Sequence, residues 1–518
     1  MNGAESLVRT LVGSGVDVCF ANPGTSEMHF VAALDEVPEM RAVLGLFEGV
    51  VTGAADGYGR MRGSPAATLL HLGPGLANGI ANLHNARRAR TPVVNIVGDH
   101  ATSHRALDAP LQSDIESLAR PVSRWYRETE TAGQLAADGA DAVAAAIGPP
   151  GGVATLVVPA DVSWAVAGDP APARPATAPA SVTGDAVERA AKALRSGEPA
   201  ALLIGGTATR ARGLAAATRS AAATGATLLC ETFPAVLERG AGLPPIERLG
   251  YFPEMAARQL SGLRHLVLAG AASPVSFFAY EGVPGDLVPD RCQVHGLAGA
   301  GDDVPGALEE LAEALGASGD EVRLQPGERP SRPAGRLDAV AAGAAIGALL
   351  AEGTIVCDEA NTSGFFVHGA TAGAPRHHWL CLTGGAIGQG LPLATGAAVA
   401  CPDQKVLCLE ADGSAMYTFQ SLWTQAREGL DVTTVIFNNR SYAILGIELE
   451  RTGVRAPHPR ASDLFDLARP PLDFVALAEA MGVGASRATT AAEFTVALER
   501  ALATPGPSLI EAVIDSGL

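Results

Sequence analysis

Short apolar runs that stop abruptly at small polar residues set the rhythm of this 518-residue chain. Lys405–Glu410 (KVLCLE) runs into Ala-Asp-Gly-Ser, and Thr433–Phe437 (TTVIF) runs into Asn-Asn-Arg-Ser. Continuous apolar runs of this length, rich in β-branched residues, predict strands buried on both faces. Between them, roughly Tyr417–Gly429 reads as a helix. The alternation recurs along the chain. Val16–Phe20 precedes Ala21-Asn-Pro-Gly-Thr-Ser-Glu27, Thr68–His71 precedes Leu-Gly-Pro-Gly, Val93–Val97 precedes Gly-Asp-His, and Ala154–Val158 precedes Pro-Ala-Asp. Further on, Ala201–Ile204, Leu266–Ala269, Thr354–Cys357 and Leu509–Ile514 are runs of the same kind. Strands that alternate with helices predict α/β architecture with doubly wound parallel sheets.

Two stretches break the pattern. Ala165–Asp185 is rich in Pro and Ala, and Gly316–Arg336 mixes Gly, Pro and charges without an apolar period. Read as linkers, they divide the chain into three domains at residues 1–165, 182–318 and 335–518. Three domains also suit the length, which is too great for one core.

Composition narrows the function. Hydrophobic residues make up 47% of the chain and charged residues 18%, enough for large cores. A net charge of −18 argues against nucleic acid or an anionic membrane as partner. The only lysines are Lys192 and Lys405, neither beside a phosphate-like loop, so Schiff-base chemistry such as that of pyridoxal phosphate is not expected. The seven cysteines are scattered, form no C-x-x-C, and read as small core residues in a reducing compartment. Without a signal-like N-terminus or an uninterrupted apolar span, the chain is expected to be soluble and cytoplasmic.

Asp412 and Asn439 lie 27 positions apart (439 − 412), each just past the end of a predicted strand. In open α/β sheets ligands bind at the carboxyl ends of strands. A carboxylate, an amide oxygen and a loop carbonyl form a hard, all-oxygen set suited to Mg²⁺ carrying phosphates. Glu48 opens a second constellation, a small-residue helix with Ala54, Ala55, Gly57 and Gly59 that allows close packing. A carboxylate among such apolar neighbours can serve as a proton-exchanging group. His71 opens the Gly-rich loop Leu72-Gly-Pro-Gly-Leu-Ala-Asn-Gly79 at another strand end.

With Glu48, the His71 loop, Gly384-Gly-Ala-Ile-Gly388 and Ala411-Asp-Gly-Ser…Asn438-Asn439, the chain resembles the thiamine-diphosphate enzymes of the acetohydroxyacid synthase, pyruvate decarboxylase and benzoylformate decarboxylase superfamily. The resemblance covers essentially the whole chain. It implies a pyrimidine-binding first domain, a Rossmann-like central domain and a diphosphate-binding third domain. It places the site between the first domain of one subunit and the third of another, with a homodimer as the minimum and a homotetramer as the common form. Carried over, Asp412, Asn439 and the Ser441 carbonyl hold Mg²⁺, and Gly413 and Ser414 approach the diphosphate. Asn361, Thr362 and Ser363 form the other diphosphate-side loop. The Gly385 carbonyl accepts from the cofactor's amino group, Ile387 enforces its bent form, and Glu48 protonates the pyrimidine ring. The implied substrate is a small-molecule 2-oxo acid, decarboxylated to an aldehyde or joined to a second carbonyl.

The resemblance leaves the branch of the superfamily open. Ala411 replaces the usual Gly before Asp-Gly-Ser, a mild change. The Trp that selects the second keto acid in acetohydroxyacid synthases aligns with Glu448, and their Phe-Gln after Asp-Ala is Pro110-Leu111 here. Asn22-Pro-Gly-Thr-Ser-Glu and the His71 loop look closer to benzoylformate decarboxylase, whose matching residues make Thr25 and His71 substrate-facing. Its second active-site His falls near Phe278–Tyr280, where this chain has none, and His100 and His104 of the first block are the candidates to serve in its place. Leu111 and Glu448 become candidate substrate contacts. Glu448 reads either as a mark of a polar or hydroxylated substrate or as a solvated helix residue. Acetolactate synthesis, and a non-catalytic cofactor-binding subunit, are the competing readings. Gly205-Gly206-Thr207 lacks the G-x-G-x-x-G pattern, so FAD in the central domain is not expected.

Overall fold

The computed structural model describes residues 1–319, 322–453 and 459–515. Three α/β sheets organise it. The first is wholly parallel, in the spatial order Arg41–Leu44, Val18–Asn22, Ala66–Leu70, Val93–Asp99, Val153–Pro159, Trp125–Glu128. The central sheet, also parallel, runs Glu247–Arg248, Thr227–Cys230, Ala200–Ile204, His265–Ala269, Gln293–Ala298. The third runs Gly484–Ala488, Ser508–Val513, Val432–Asn438, Val406–Ala411, Ile355–Glu359, His377–Cys381 and ends on Leu237–Arg239.

That last strand departs from the sequence expectation. It lies between the strands of the central sheet in sequence, yet pairs antiparallel with His377–Trp379 at the edge of the third sheet. Three residues between Pro234 and Gly240 carry too little periodicity to be read. The helix expected over Tyr417–Gly429 is shorter, Ser421–Glu428. Asp412–Ala415 forms a separate helical turn, and Tyr417 and Thr418 continue it with turn bonds to Ser414 and Ala415.

The first and third sheets are joined by two helices, Glu48–Arg62 and Gly390–Ala400. Every residue of the second is buried. They touch backbone to backbone. A Cβ on Gly57 would lie 2.0 Å from the Leu393 carbonyl oxygen, and one on Gly396 would lie 1.8 Å from that of Ala54. Glycine is therefore required at both positions. Residues of both helices share one apolar core, including Val51, Ala55, Leu391, Ala394 and Ala397. A buried ion pair crosses the same seam. Arg60 binds Asp56 and donates to the Cys381 carbonyl and Thr383, while Asp56 also accepts from Thr91 and Gln389. Buried charges persist only when satisfied in this way. All seven cysteines are free thiols. Among the described residues no helix is long and apolar enough to cross a membrane.

Candidate active site

The candidate metal end, Asp412 and Asn439, lies where two parallel neighbours of the third sheet terminate, with Ala411 opposite Phe437. Asp412 opens its helical turn at the end of one strand, and Asn438 closes the other. Asp412 Oδ1 accepts from Gly413 N at 2.8 Å, and Oδ2 accepts from Arg440 N at 2.6 Å. Asn439 Oδ1 accepts from Ser441 N at 3.0 Å. Arg440 adopts φ +59°, so the loop after Asn439 folds back onto the carboxylate. Burial pushes the Asp412 carboxyl up to about 6, although these amide donors pull the other way. A buried, oxygen-only set with one anionic member fits Mg²⁺. Asn361, at φ +49°, donates to Ser414 Oγ at 2.9 Å and ties the two diphosphate-side loops together. Thr362, Ser363 and Asn439 line one cavity of about 380 Å³.

The loop Gly384–Gly388 is held on three sides. Gly385 and Gly388 take φ +73° and +90°. From the first block, Asn85 donates to the Ala386 carbonyl at 2.8 Å and accepts from Ala386 N at 3.2 Å. His84 Nε2 binds the Gly384 carbonyl at 3.1 Å. From beneath, Glu359 Oε1 accepts from Gly388 N at 2.7 Å and Oε2 from Gly390 N at 2.5 Å. Its cross-strand neighbour Glu410 accepts from Leu391 N. Burial drives both carboxyls up, Glu359 to about 7 and Glu410 further because it also faces the Glu359 charge. Thr418 Oγ1 donates to the Gly388 carbonyl.

Glu48 begins its helix beside this loop. Its Oε2 accepts from Asn78 Nδ2 at 3.0 Å, and a Cβ on Gly75 would approach Oε1 to 3.1 Å. Asn82 Nδ2 donates to both the Gly49 carbonyl (2.8 Å) and the Gly388 carbonyl (3.1 Å). One chain thus brings the start of the Glu48 helix and the Gly388 turn onto a single amide group.

His71 has a partner the sequence reading did not name. Its Nδ1 donates to Glu27 Oε2 at 2.8 Å. Glu27 is buried and also accepts from Gly24 N (2.7 Å) and Ser26 Oγ (2.8 Å). A carboxylate on Nδ1 fixes the tautomer and leaves Nε2 as the free nitrogen. The imidazole rests on Gly24, where a Cβ would lie 2.3 Å from the ring. Ser26 Oγ, at 3.3 Å, is the hydroxyl on the imidazole, while its neighbour Thr25 is exposed. Leu111 is also exposed, and Ser113 of the same loop packs on Gly73 next to His71. The rings of His100 and His104 lie 5.4 Å apart, tilted by 50°, and His100 Nε2 is buried without a partner among the described residues.

Glu448 is not a solvated helix residue. It lies on Ala443–Arg451 and accepts from the Tyr280 hydroxyl at 2.7 Å, with Arg451 at 3.7 Å. Its Oε1 is buried and unpartnered. Arg451 lies over the rings of Phe252 and Tyr280. Phe233, Tyr251, Phe252, Phe277 and Phe278 continue an aromatic chain in a protein with only 5% aromatic residues. Phe277 reaches the Gly385 turn, within 3.4 Å of where a Cβ would stand. The cluster therefore borders the Gly384–Gly388 loop.

A cavity of about 580 Å³ sits at the carboxyl edge of the central sheet, beside Gly206, Glu231 and Gly270. Glu231 accepts from Gly206 N at 3.0 Å. A carboxylate on the amide of that turn takes the bond a pyrophosphate would receive, which disfavours a dinucleotide there.

The sequence missed Glu27, Asn78, Asn82, Asn85, Glu359, Glu410 and Tyr280. Only the asparagines left a signal, a spacing of four and three along one predicted helix.

Residues 1–119 match the family described as "Thiamine pyrophosphate enzyme, N-terminal TPP binding domain", and residues 361–512 match its C-terminal TPP binding domain. The chain is 60% identical to a Mycobacterium tuberculosis protein named "Putative acetolactate synthase large subunit IlvX", over 100% of this chain and 99% of that one. It is 30% identical to a benzoylformate decarboxylase of Pseudomonas aeruginosa, covering 96% of each. Among solved structures, a thiamine diphosphate-dependent 4-hydroxybenzoylformate decarboxylase of Rhodococcus jostii superposes with a TM-score of 0.86 at 27% identity, over 99% of both chains.

Proposed function

The chain belongs to the thiamine-pyrophosphate enzyme family, and from that premise we propose that it is a thiamine-diphosphate- and Mg²⁺-dependent decarboxylase of aromatic 2-oxo acids, able also to join the product to a second carbonyl. The observation that carries this reading is the aromatic chain of Phe233, Tyr251, Phe277 and Phe278 bordering the Gly385 turn. An apolar, ring-lined pocket binds an aryl group and favours loss of a carboxylate's charge. The relatives named for benzoylformate and 4-hydroxybenzoylformate support it.

When bound, the cofactor supplies the electron sink for the departing carboxylate. The residues of this chain do the rest. Asp412, the Asn439 amide oxygen and the Ser441 carbonyl hold Mg²⁺, and Gly413, Ser414, Asn361, Thr362 and Ser363 receive the diphosphate. The Gly385 carbonyl and Ile387 orient the pyrimidine. Glu48, steadied by Asn78, moves a proton at the ring nitrogen. His71, its tautomer set by Glu27, gives or takes a proton at the substrate oxygen through Nε2. Glu448 Oε1 accepts a hydrogen bond from a distal hydroxyl on the ring. The working unit is a homodimer or homotetramer of this chain. Phe365, Phe366, Met416, Tyr417 and Leu445 are exposed near the third sheet's loops and are apolar surface that a second copy would cover.

A second reading, acetolactate synthesis from two pyruvates, is favoured by the name of the 60%-identical relative. Assaying pyruvate, branched 2-oxo acids, benzoylformate and 4-hydroxybenzoylformate for carbon dioxide, aldehyde and acetolactate decides. Aryl substrates turning over to aldehydes supports the decarboxylase. Acetolactate from pyruvate alone replaces it with the second reading.

A further inference from the structure

The helix Leu72–Ala89 carries Asn78, Asn82 and Asn85 at a spacing of four and then three, which places them on one face. Each is used differently. Asn78 holds the Glu48 carboxylate. Asn82 spans the Gly49 and Gly388 carbonyls. Asn85 pairs with both the N–H and the carbonyl of Ala386, as a neighbouring strand would. Asn85 in turn donates to Asn82 Oδ1 at 2.9 Å, so two of the three amides form one chain of bonds. Asn82 and Asn85 are buried, with exposures of 2% and 0%. The helix comes close enough because Gly75 and Gly79 face the Glu48 helix, where a Cβ on Gly79 would lie 2.8 Å from Thr52 Cγ2. Thr52 closes the contact by donating to the Gly79 carbonyl at 3.0 Å.

The effect is that two elements 336 residues apart (384 − 48) are referenced to one rigid helix. The carboxylate of Glu48 is set by one end of the asparagine face, and the backbone of the Gly384–Gly388 loop by the other. Glu359 holds that loop from the opposite side, so Ile387 stands between two fixed residues. We propose that Asn78, Asn82 and Asn85 are positioning residues, Asn78 acting on the proton-transfer carboxylate and Asn85 on the loop that orients the pyrimidine, so that one helix holds the contributions this chain makes to two neighbouring sites of the assembly. This rests on the family's use of Glu48 and Gly385 for its cofactor, but the loop-holding role of Asn85 does not.

The test uses the full-length chain and the variants N78A, N85A and N85D. Amide hydrogen exchange on the cofactor-free protein reads the loop directly. N85A is expected to speed exchange of the peptide spanning residues 384–389 by about tenfold, since two hydrogen bonds are lost, without changing exchange of the strand at 406–411. N85D keeps the volume and the acceptor for Ala386 N, so it gives an intermediate rate and stands in if N85A does not fold. Titration calorimetry with thiamine diphosphate and Mg²⁺ should then show affinity weakened about tenfold in N85A and within threefold of wild type in N78A, whose loss falls on kcat. Unchanged exchange at 384–389 in both Asn85 variants overturns the loop role. Equal loss of cofactor affinity in N78A and N85A overturns the division of labour. A wild-type protein that binds no thiamine diphosphate defeats the functional reading and leaves the exchange result standing.

Discussion

Glu27 and His71 are 44 positions apart in sequence yet share a hydrogen bond of 2.8 Å, and the carboxylate is almost wholly shielded from water. Removing the acceptor frees the imidazole to rotate and to change tautomer. Glu27→Gln should therefore lower kcat about 10- to 100-fold, the scale of a lost general acid–base contribution, while thiamine diphosphate affinity measured by calorimetry stays the same. Asp412→Ala removes the only charged oxygen of the metal set. It should abolish Mg²⁺-dependent retention of the cofactor on gel filtration, and full retention would remove the metal assignment. Glu448→Gln keeps the Tyr280 contact but replaces an acceptor by a donor at one oxygen. Its kcat/KM for 4-hydroxybenzoylformate should fall relative to benzoylformate by roughly tenfold, and an unchanged ratio would refute the distal hydrogen bond. At this scale the sequence was most informative where chemistry is tied to a strand end. Asp412 and Asn439 were legible because turn residues follow apolar runs. Glu27 was not, because nothing local marks a carboxylate that works on a histidine at the end of the neighbouring strand, 44 residues on, and Tyr280 was not, because its partner Glu448 lies in another part of the chain.

At the scale of elements, the two helices Glu48–Arg62 and Gly390–Ala400 decide the geometry. Their glycines permit contact of backbone on backbone, and the Asp56–Arg60 pair pins the seam at Cys381 and Thr383. Gly57→Ala places a methyl 2.0 Å from the Leu393 carbonyl oxygen, so the helices must separate. The expected cost is about 1–3 kcal/mol of stability, read as a lower denaturant midpoint. An unaltered midpoint would mean that the contact is looser than described. The small-residue character of the Glu48 helix was visible in the sequence as a face built for close approach. Its partner was not, because Gly390–Ala400 is apolar all round and its periodicity points nowhere. The same limit hid the strand Leu237–Arg239, whose sheet lies outside its own stretch of sequence.

At the scale of the molecule, the sheets place Asp412, Asn439, Glu48 and His71 at loops or helix starts, and the first and third domains meet around the Gly384–Gly388 loop. The alternation of strand and helix announced the parallel sheets, and the family resemblance announced the cofactor. Substrate choice was not legible, because the aromatic chain beside Gly385 assembles from Phe233, Tyr251 and Phe277 on separated loops. The account's central claim is that Glu48 activates a thiamine diphosphate bound by this chain. Its most direct measurement pairs benzoylformate decarboxylation with calorimetric cofactor affinity in the wild type and Glu48→Gln. The account predicts unchanged affinity and a turnover reduced by several orders of magnitude, about 10²–10⁴-fold. A variant that decarboxylates as fast as the wild type would contradict it.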